Sequence, residues 1–536
     1  MSVPESIRRV PRPRNTVVID SGHDGALRYA VRARAGVKYR SDGKSLPVNG
    51  KVIGHIYNNT FVSCEEITPT ASSGPEDLSY GAAAFVESVS EDLFKDLCTV
   101  FPLQDACDLM ATAMVRATDP GTKCRRIASE YGRNYIRRFH PDCYLSANRL
   151  VKLFTEVGED GAKRRAFYEI RMKRVEAEHH VVIDGTLKQD TSYVNSQSAY
   201  SFKARLKGCK DVSVIYAYDL EKMEPICAEL FAGNRIDACA FATFIRERNI
   251  NKGIIVADKG FPPSKLQSEL RSSPQLHYLI PIKRSDARIQ NNDMLKFDNI
   301  LTSIDQQISY RKQQIKGGCF LYAFKDFSKA AKERHDFVER MKSDPAVTYE
   351  KFEKHEPLFG VIVFESDQDL DPLTAYLCYE DRWQIECVFD SYKNDENFDC
   401  TNVQGDFSLW GSEFVNFIAT VLTCRMKRKA QRAGLLNDRS YKDLLKDLAT
   451  AWRKSQAPLP AKSDDRYWMS DYPGVFALME ALGLSIPGVN SKKIHSVTAQ
   501  GIVVPGKRGR PRTKPEFVGP KRQRGRPRKL PEYQHE

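Results

Sequence analysis

The stretch Val181-Val182-Ile183-Asp184-Gly185-Thr186 is a short apolar run that stops at an acidic residue. A second run, Ile254-Ile255-Val256-Ala257, also stops at an acid, Asp258. Strands followed by a helix and a further buried strand indicate a mixed sheet packed by helices, so we expect an α/β core. The predicted strands are 181–183, 201–206, 212–217, 224–231, 254–257 and 277–282, and the predicted helix is 238–248.

Asp184 and Asp258 each stand where a predicted strand stops. A single aspartate at such a point often forms a turn or caps a helix. Two of them on neighbouring strand ends bring carboxylates together, which repel each other unless a cation holds them. Their hard oxygen ligands suit Mg²⁺ or Mn²⁺. Asp20 ends a similar Val-Val-Ile-Asp run, but neither a helix nor a second acidic strand follows it, which favours Asp184.

Residues 379–393 read Tyr-Glu-Asp-Arg-Trp-Gln-Ile-Glu-Cys-Val-Phe-Asp-Ser-Tyr-Lys. If this stretch is a helix, Tyr379, Arg382, Glu386 and Lys393 share one face, because they are three, four and seven residues apart. An ordinary solvated face with salt bridges would have the same pattern. Together with the two aspartates, however, Glu386 becomes the candidate third carboxylate. Asp390, one turn later, is a rival for that position.

The charge of the chain is concentrated at its C-terminal end. The formal net charge is +13, and the segment 507–529 holds eleven Lys and Arg residues against Glu516. A concentrated basic segment predicts a polyanionic partner, most plausibly nucleic acid, with an affinity that falls as salt rises. The 13 cysteines form no Cys-x-x-Cys pair, which argues against a disulfide framework or a zinc site.

The N-terminus lacks the pattern of a secretory signal, and the longest apolar run, 414–426, is too short to span a bilayer. We therefore expect a soluble intracellular protein with no membrane partner. A chain of 536 residues is also too long for one core, which predicts several domains.

The predicted organisation follows changes in pattern along the chain. The helical region has a predicted N-cap at Ser146 and a group of cations that is either a DNA-end-binding face or a solvated surface: Lys123, Arg125, Arg126, Arg133, Arg137 and Arg138. The predicted segments are 1–70, a basic N-terminus and small β subdomain; 71–178, helical; 179–283, first part of the core; 284–372, an inserted domain; 373–435, second part of the core; 436–490, C-terminal helices; and 491–536, a disordered basic tail.

The order Asp184, Asp258, Glu386, with Tyr379-x2-Arg382-x3-Glu386-x6-Lys393 around the last acid, resembles the Y-R-E-K subgroup of DDE insertion-sequence transposases. The resemblance extends over roughly 180–485. It implies an RNase H-like mixed sheet with helices, interrupted by an α+β insertion. In relatives that excise through a DNA hairpin, a tryptophan of the insertion stacks on a flipped base. No tryptophan lies between Asp258 and Trp383, which leaves the excision route open.

The resemblance implies that Asp184, Asp258 and Glu386 are catalytic residues that hold two Mg²⁺ or Mn²⁺ ions for phosphodiester hydrolysis and strand transfer. It implies that Tyr379, Arg382 and Lys393 hold DNA phosphates. The expected partners are the element's terminal repeats and target DNA, with a homodimer assembled on two ends. In a prokaryotic host the protein would lie in the cytoplasm with the nucleoid. A catalytically silent DNA-binding protein derived from a transposase and a plain RNase H-like nuclease are the alternatives.

The basic tail repeats an Arg-Gly-Arg-Pro core that resembles the AT-hook. Glycine and proline keep such a peptide extended and slim, so that arginines can enter the narrow minor groove of A·T-rich DNA. A generic basic tail is the alternative reading. The predicted minor-groove residues are Arg508, Gly509, Arg510, Pro511, Arg512, Arg524, Gly525, Arg526, Pro527 and Arg528.

Overall fold

The structure is a computed structural model. It describes residues 3–21, 28–39, 45–57, 59–63, 77–201, 209–235, 238–258, 261, 264, 266–395, 398–401, 403–457, 465–470, 472, 474–486, 494–497 and 503–505.

A small antiparallel sheet forms the N-terminal part of the chain, after the short helix α1 (Glu5–Arg8). Its four strands pair in chain order, and Val18, Val31 and Ile56 lie in its small apolar core. Its strands are β1 (Thr16–Asp20), β2 (Tyr29–Tyr39), β3 (Ser45–Tyr57) and β4 (Thr60–Ser63). Asp20 is therefore the last residue of β1, where it forms an ion pair with Arg28.

A helical region follows. Its helices are α2 (Gly81–Glu87), α3 (Glu91–Val100), α4 (Leu103–Thr118), α5 (Cys124–Arg133), α6 (Ile136–Phe139), α7 (Ala147–Glu159) and α8 (Gly161–Met172). The N-cap prediction is confirmed, because the Ser146 side chain accepts a hydrogen bond from the Arg149 N–H. The core of this region is continuous with that of the sheet that follows, so both pack as one body.

A large mixed sheet confirms the predicted α/β core. Its path is β11-β12-β13-β14-β10-β9-β6-β7-β8, and β15 pairs with the far end of β6. Parallel pairing joins β9 to both β6 and β10, whereas β6, β7 and β8 pair antiparallel. The strands are β6 (His180–Asp190), β7 (Lys210–Asp219), β8 (Glu224–Ala232), β9 (Lys252–Val256), β10 (Gln275–Pro281), β11 (Asn299–Leu301), β12 (Ile308–Gln314), β13 (Phe320–Asp326), β14 (Val361–Ser366) and β15 (Cys400–Thr401). Residues 202–206 of the predicted strand 201–206 lie outside the described residues.

The segment 284–372, which the sequence predicts as an inserted domain, does not form a sheet of its own. Its strands β11 to β14 extend the core sheet, because β14 pairs antiparallel with β10 through Leu279↔Ser366 and Pro281↔Phe364. Buried aromatic residues such as Tyr322 and Phe324 join the main core. The segment also contributes α11 (Ala287–Asn291), α12 (Phe327–Ser343), α13 (Tyr349–His355) and a 3₁₀ turn (Glu356–Leu358), after α9 (Ala238–Glu247) and α10 (Gln267–Ser272) of the core.

Two helices and a π-helical turn complete the core before its longest helix: α14 (Pro372–Asp381), α15 (Trp383–Asp390), the turn Ser391–Asp395 and α16 (Asp406–Arg432). By length and composition α16 would pass for a membrane span, but most of it is buried inside the protein. It crosses α7 at very short range. A Cβ placed on Gly411 would lie 1.9 Å from the Phe154 carbonyl oxygen, and one on Gly158 would lie 1.7 Å from that of Phe407.

The C-terminal part of the chain returns to the helical region. β16 (Ala451–Lys454) pairs with β17 (Trp468–Ser470) and with β5 (Asp77–Ser79), which precedes α2. The remaining elements are α17 (Tyr441–Ala449), a 3₁₀ turn (Asp465–Tyr467), α18 (Val475–Ala481), β18 (Ile494–Val497) and β19 (Val503–Pro505). β18 and β19 pair with each other inside the segment predicted as a disordered tail, where β-branched residues favour strands.

Candidate active site

The register of the sheet brings the two aspartates level with each other. In the parallel pair of β6 and β9, the last described partners are Val182 and Val256. Asp184 and Asp258 each lie two residues further on. The sequence predicts that the strand stops at Asp184, and this is wrong. β6 pairs with β7 along its whole length and continues to Asp190. Only the β9 side of β6 is left open, between the end of β9 and the start of β15.

Asp258 lies in a tight turn directly after β9. Its carbonyl oxygen accepts a hydrogen bond from the Phe261 N–H at 3.0 Å. The Phe261 ring stacks on Phe241 of α9, with centroids 4.1 Å apart. The turn is therefore anchored by a buried aromatic pair, which fixes the point at which the Asp258 side chain leaves the sheet.

Residues 379–393 do not form one regular helix. α14 ends at Asp381, and at Arg382 the hydrogen bonds shorten to three residues: Arg382 N–H donates to the Tyr379 carbonyl, and Ile385 N–H donates to that of Arg382. α15 then carries Glu386, and the π-helical turn carries Lys393. Because Arg382 keeps right-handed helical torsions, the axis continues through this break.

Arg382 lies between the strand and the helix. Its Nη1 is 3.6 Å from Asp184 Oδ2, and its Nη2 is 3.4 Å from Glu386 Oε1. Its guanidinium carbon is 5.4 Å from the centre of the Tyr379 ring. The arginine side chain is only 17% exposed, whereas that of Glu386 is 60% exposed. The half-buried guanidinium therefore bridges the carboxylates of Asp184 and Glu386, and Glu386 is the one that faces solvent.

The electrostatic couplings place both aspartates in the same site. Burial raises the pKa of Asp184, and the negative charges of Asp258 and Glu386 raise it further, while the Gly185 N–H and Arg382 oppose the shift. Burial likewise raises the pKa of Tyr379, and Asp258 adds to that shift. Asp184, Asp258, Tyr379, Arg382 and Glu386 thus act on one another across a single cluster.

The strands added by the segment 284–372 support this cluster. The Tyr379 ring packs on Phe364 of β14, with centroids 4.6 Å apart. Phe364 is buried and also contacts Phe324 of β13. The position of Tyr379 therefore depends on the extended part of the sheet.

A buried polar network that the sequence did not reveal lies beside Lys393. Lys188 Nζ contacts Glu413 Oε1 at 2.6 Å and the Tyr392 hydroxyl at 3.1 Å. The Tyr392 hydroxyl also donates to Glu413 Oε2. This network fixes the π-helical turn against β6 and α16. The available signal was strand periodicity, since Lys188 lies on the same side of β6 as Asp184.

The three carboxylates suit a divalent cation. They offer hard oxygen ligands, and the pKa of Asp184 is raised mainly by burial, with smaller contributions from the negative charges of Asp258 and Glu386. A second group, His179, Asp219 and Glu221, also has ligand atoms within 4.8 Å of one another. There each carboxylate oxygen already accepts a hydrogen bond, from His179, Lys222 N–H, His180 or His180 N–H. That group therefore fastens the start of β6 to the turn after β7.

The two rival acids, Asp20 and Asp390, form no ion pair with Arg382 among the described residues. Asp20 belongs to the separate N-terminal sheet. Asp390 is exposed at the end of α15 and accepts a hydrogen bond from Asn394. The ten predicted minor-groove residues of the tail lie outside the described residues.

Comparison with known protein families gives a match within the core. Residues 176–406 match the family model described as the transposase DDE domain. The matched range includes Asp184, Asp258, Glu386 and the strands and helices that carry them. No curated protein matches the chain. The family match and the large mixed sheet together support a DDE transposase.

Proposed function

We propose that this protein is a transposase that catalyses metal-dependent phosphodiester hydrolysis and strand transfer at the ends of an insertion sequence. The observation that carries the proposal lies within the matched range: Arg382 contacts both Asp184 and Glu386, and Asp258 lies level with Asp184 just beyond the neighbouring strand. The mixed sheet, with the two aspartates level beside a parallel strand pair, supports an RNase H-like core.

The carboxylates and the cations have different roles in this mechanism. Asp184, Asp258 and Glu386 would hold two Mg²⁺ or Mn²⁺ ions, which activate the attacking oxygen and stabilise the leaving oxygen. Arg382, which lies beside two of these carboxylates, would bind phosphate oxygens, for which the planar guanidinium is well shaped. Tyr379 supplies a hydroxyl donor beside it, and Lys393 a second positive charge.

The DNA partners follow from the same proposal. The terminal repeats of the element and the target DNA would occupy the cluster in turn, with a dimer holding two ends together. The AT-hook-like tail would add a flexible tether to A·T-rich DNA, because two weak sites on one strand gain through effective concentration.

The test is incubation of the purified protein with labelled transposon-end DNA and Mg²⁺ or Mn²⁺. We expect cleavage at the end followed by joining to target DNA. Binding without nicking would indicate the catalytically silent DNA-binding protein, and nicking without joining would indicate a plain nuclease.

Glu386→Gln should abolish both cleavage and strand transfer while leaving DNA binding intact, because it removes one ligand charge without changing shape. Asp390→Asn is the matched control, since Asp390 is exposed on the same helix, and it should retain activity. Strand transfer by Glu386→Gln would disprove the assigned triad.

A further inference from the structure

We propose that a cavity between the helical region and the core is a second binding site for the DNA phosphate backbone, separate from the carboxylate cluster. The cavity has a volume of about 520 Å³. Arg116, Lys123 and Arg125 line it from the helical region, and Lys188 and Asp399 line it from the core. The identification of the ligand as DNA rests on the proposed transposase function, whereas its anionic character follows from the residues.

The surroundings of Arg116 are the first indication that the cavity binds an anion. Arg116 is 5% exposed, yet no described carboxylate lies within salt-bridge distance of it. Its guanidinium donates to neutral groups: Asn416 Oδ1 at 2.6 Å, the Ser412 carbonyl oxygen at 3.4 Å and Cys124 Sγ at 3.5 Å. An arginine keeps its charge when buried, and buried charges are normally paired. The rings of Phe154 and Phe398 lie 5.3 and 5.7 Å from the Arg116 guanidinium carbon but carry no net charge, so a ligand with negative charge would supply the counter-charge.

The charge balance of the cavity points the same way. Lys188 is already neutralised by Glu413, to which Asn416 also donates. Lys123 and Arg125 are exposed at the rim, and neither forms an ion pair with a described residue. Arg126, the next residue in the chain, pairs instead with Glu130. Arg116, Lys123 and Arg125 thus face the cavity against a single carboxylate, that of Asp399.

The location of the cavity suits DNA that also reaches the carboxylates. Lys188 lies four residues beyond Asp184 on the same side of β6, which is a distance of about 13 Å along the strand. One strand of duplex DNA rises about 3.4 Å per nucleotide, so this distance corresponds to about four nucleotides. One duplex is therefore long enough to present its backbone to both sites.

The test is DNA binding by the full chain in EDTA, with a labelled duplex of arbitrary sequence, over a series of salt concentrations. The variant Lys123→Ala/Arg125→Ala loses the two rim cations. Its control, Lys95→Ala/Lys152→Ala, loses two equally exposed lysines of α3 and α7 outside the cavity. Both chains keep the tail, so its contribution cancels in the comparison.

We expect the cavity variant to lower the slope of log K against log salt by about 2, since each lost phosphate contact lowers it by about 0.9. The control should keep the wild-type slope. Equal slopes for the two variants would overturn the proposal. Arg116→Met should also weaken binding, and wild-type affinity in a folded Arg116→Met chain would overturn the proposal as well.

This outcome is independent of catalysis, because the assay contains no divalent ion and any duplex serves. If wild-type protein fails to cleave or join transposon ends but the slope still falls in the cavity variant, the proposed function fails and the phosphate site stands. If cleavage and joining occur and the slopes are equal, the proposed function stands and the phosphate site fails.

Discussion

Arg382 neutralises part of a negative cluster that the backbone creates. Its Nη atoms contact Asp184 and Glu386, and its guanidinium carbon lies over the Tyr379 ring. Its Nε is buried and has no hydrogen-bond partner among the described residues. In the proposed mechanism a bound phosphate would satisfy this donor, which costs about 1–3 kcal/mol while it is buried and unpaired.

The three carboxylates should give the protein a measurable affinity for divalent ions without DNA. We predict that Mn²⁺ raises the melting temperature of the wild-type chain, since an ion at one hundred times its Kd stabilises the folded state by about 2.7 kcal/mol. Asp184→Asn should lose this response. Differential scanning fluorimetry with and without Mn²⁺ measures it.

Asp390→Asn is the control for that experiment, because Asp390 is exposed on the same helix as Glu386 and accepts a hydrogen bond from Asn394. It should respond to Mn²⁺ as wild type does. An Asp184→Asn chain that keeps the full Mn²⁺ response would show that the ion binds elsewhere, for example at His179, Asp219 and Glu221.

At the residue scale the sequence predicted which acids form the candidate site but not which residues surround them. Asp184 and Asp258 were identifiable because each follows an apolar run, and the register then places them level. The bridge through Arg382 was not identifiable, because it depends on how α15 packs across β6. Lys188 and Glu413 were missed because they meet over a sequence separation that no local pattern reveals.

At the element scale, one ion-pair network fastens the helical region to the core. Glu224, at the start of β8, contacts Arg171 of α8 at 3.0 Å and Arg425 of α16 at 2.7 Å. Arg425 also contacts Asp92 of α3 at 2.6 Å. Three helices from both parts of the chain therefore meet at one strand end.

This network should make stability depend on pH. Burial raises the pKa of Glu224, but Arg171 and Arg425 lower it more, so its net shift is downward. A lowered pKa in the folded state stabilises the protein above the unfolded value, about 4.3, and this contribution is lost as the pH falls through the folded value.

We predict that Glu224→Gln lowers the free energy of unfolding at pH 7 by about 3 kcal/mol, the usual cost of breaking a buried pair. The difference from wild type should shrink as the pH falls below about 4. Urea unfolding followed by tryptophan fluorescence at several pH values measures it. Glu339 forms an exposed ion pair with Lys342, so Glu339→Gln is the control, and its free energy of unfolding should match that of wild type. An equal loss at all pH values would contradict the ion-pair explanation.

Helix boundaries show where local pattern stops being informative. The spacing of Tyr379, Arg382 and Glu386 correctly indicates helical structure, but it does not predict the break at Arg382 or the π-helical turn. The turn coincides with the buried contacts of Tyr392, so tertiary packing accompanies the extra residue per turn. The strands of 284–372 were predicted in part, but their union with the core sheet depends on the pairing of β14 with β10.

At the scale of the whole molecule, the ends of the folded part are joined. β5, before the helical region, pairs with β16, beyond α17. Arg453 of β16 is fully buried among the rings of Tyr80, Tyr135 and Trp468, at 5.0 to 5.5 Å from their centres. The segments flanking the large mixed sheet therefore stabilise each other.

The basic tail should act on DNA independently of this folded body. We predict that deletion of residues 507–536 weakens binding to A·T-rich duplexes and to DNA in general, because it removes most of the net positive charge. Chemistry at saturating protein should be unaffected. Electrophoretic mobility shifts and strand-transfer assays on the same preparation measure the two effects. Loss of chemistry at saturation would contradict a tethering role.

The close crossing of α7 and α16 sets a length scale for the molecule. Gly158 and Gly411 leave no room for a side chain, so the helical region cannot pivot on the core without breaking backbone contacts. The distance between the basic cavity and Asp184 is then constant. A duplex held at both points would be cut at a fixed count of nucleotides from its grip, whatever its sequence in between.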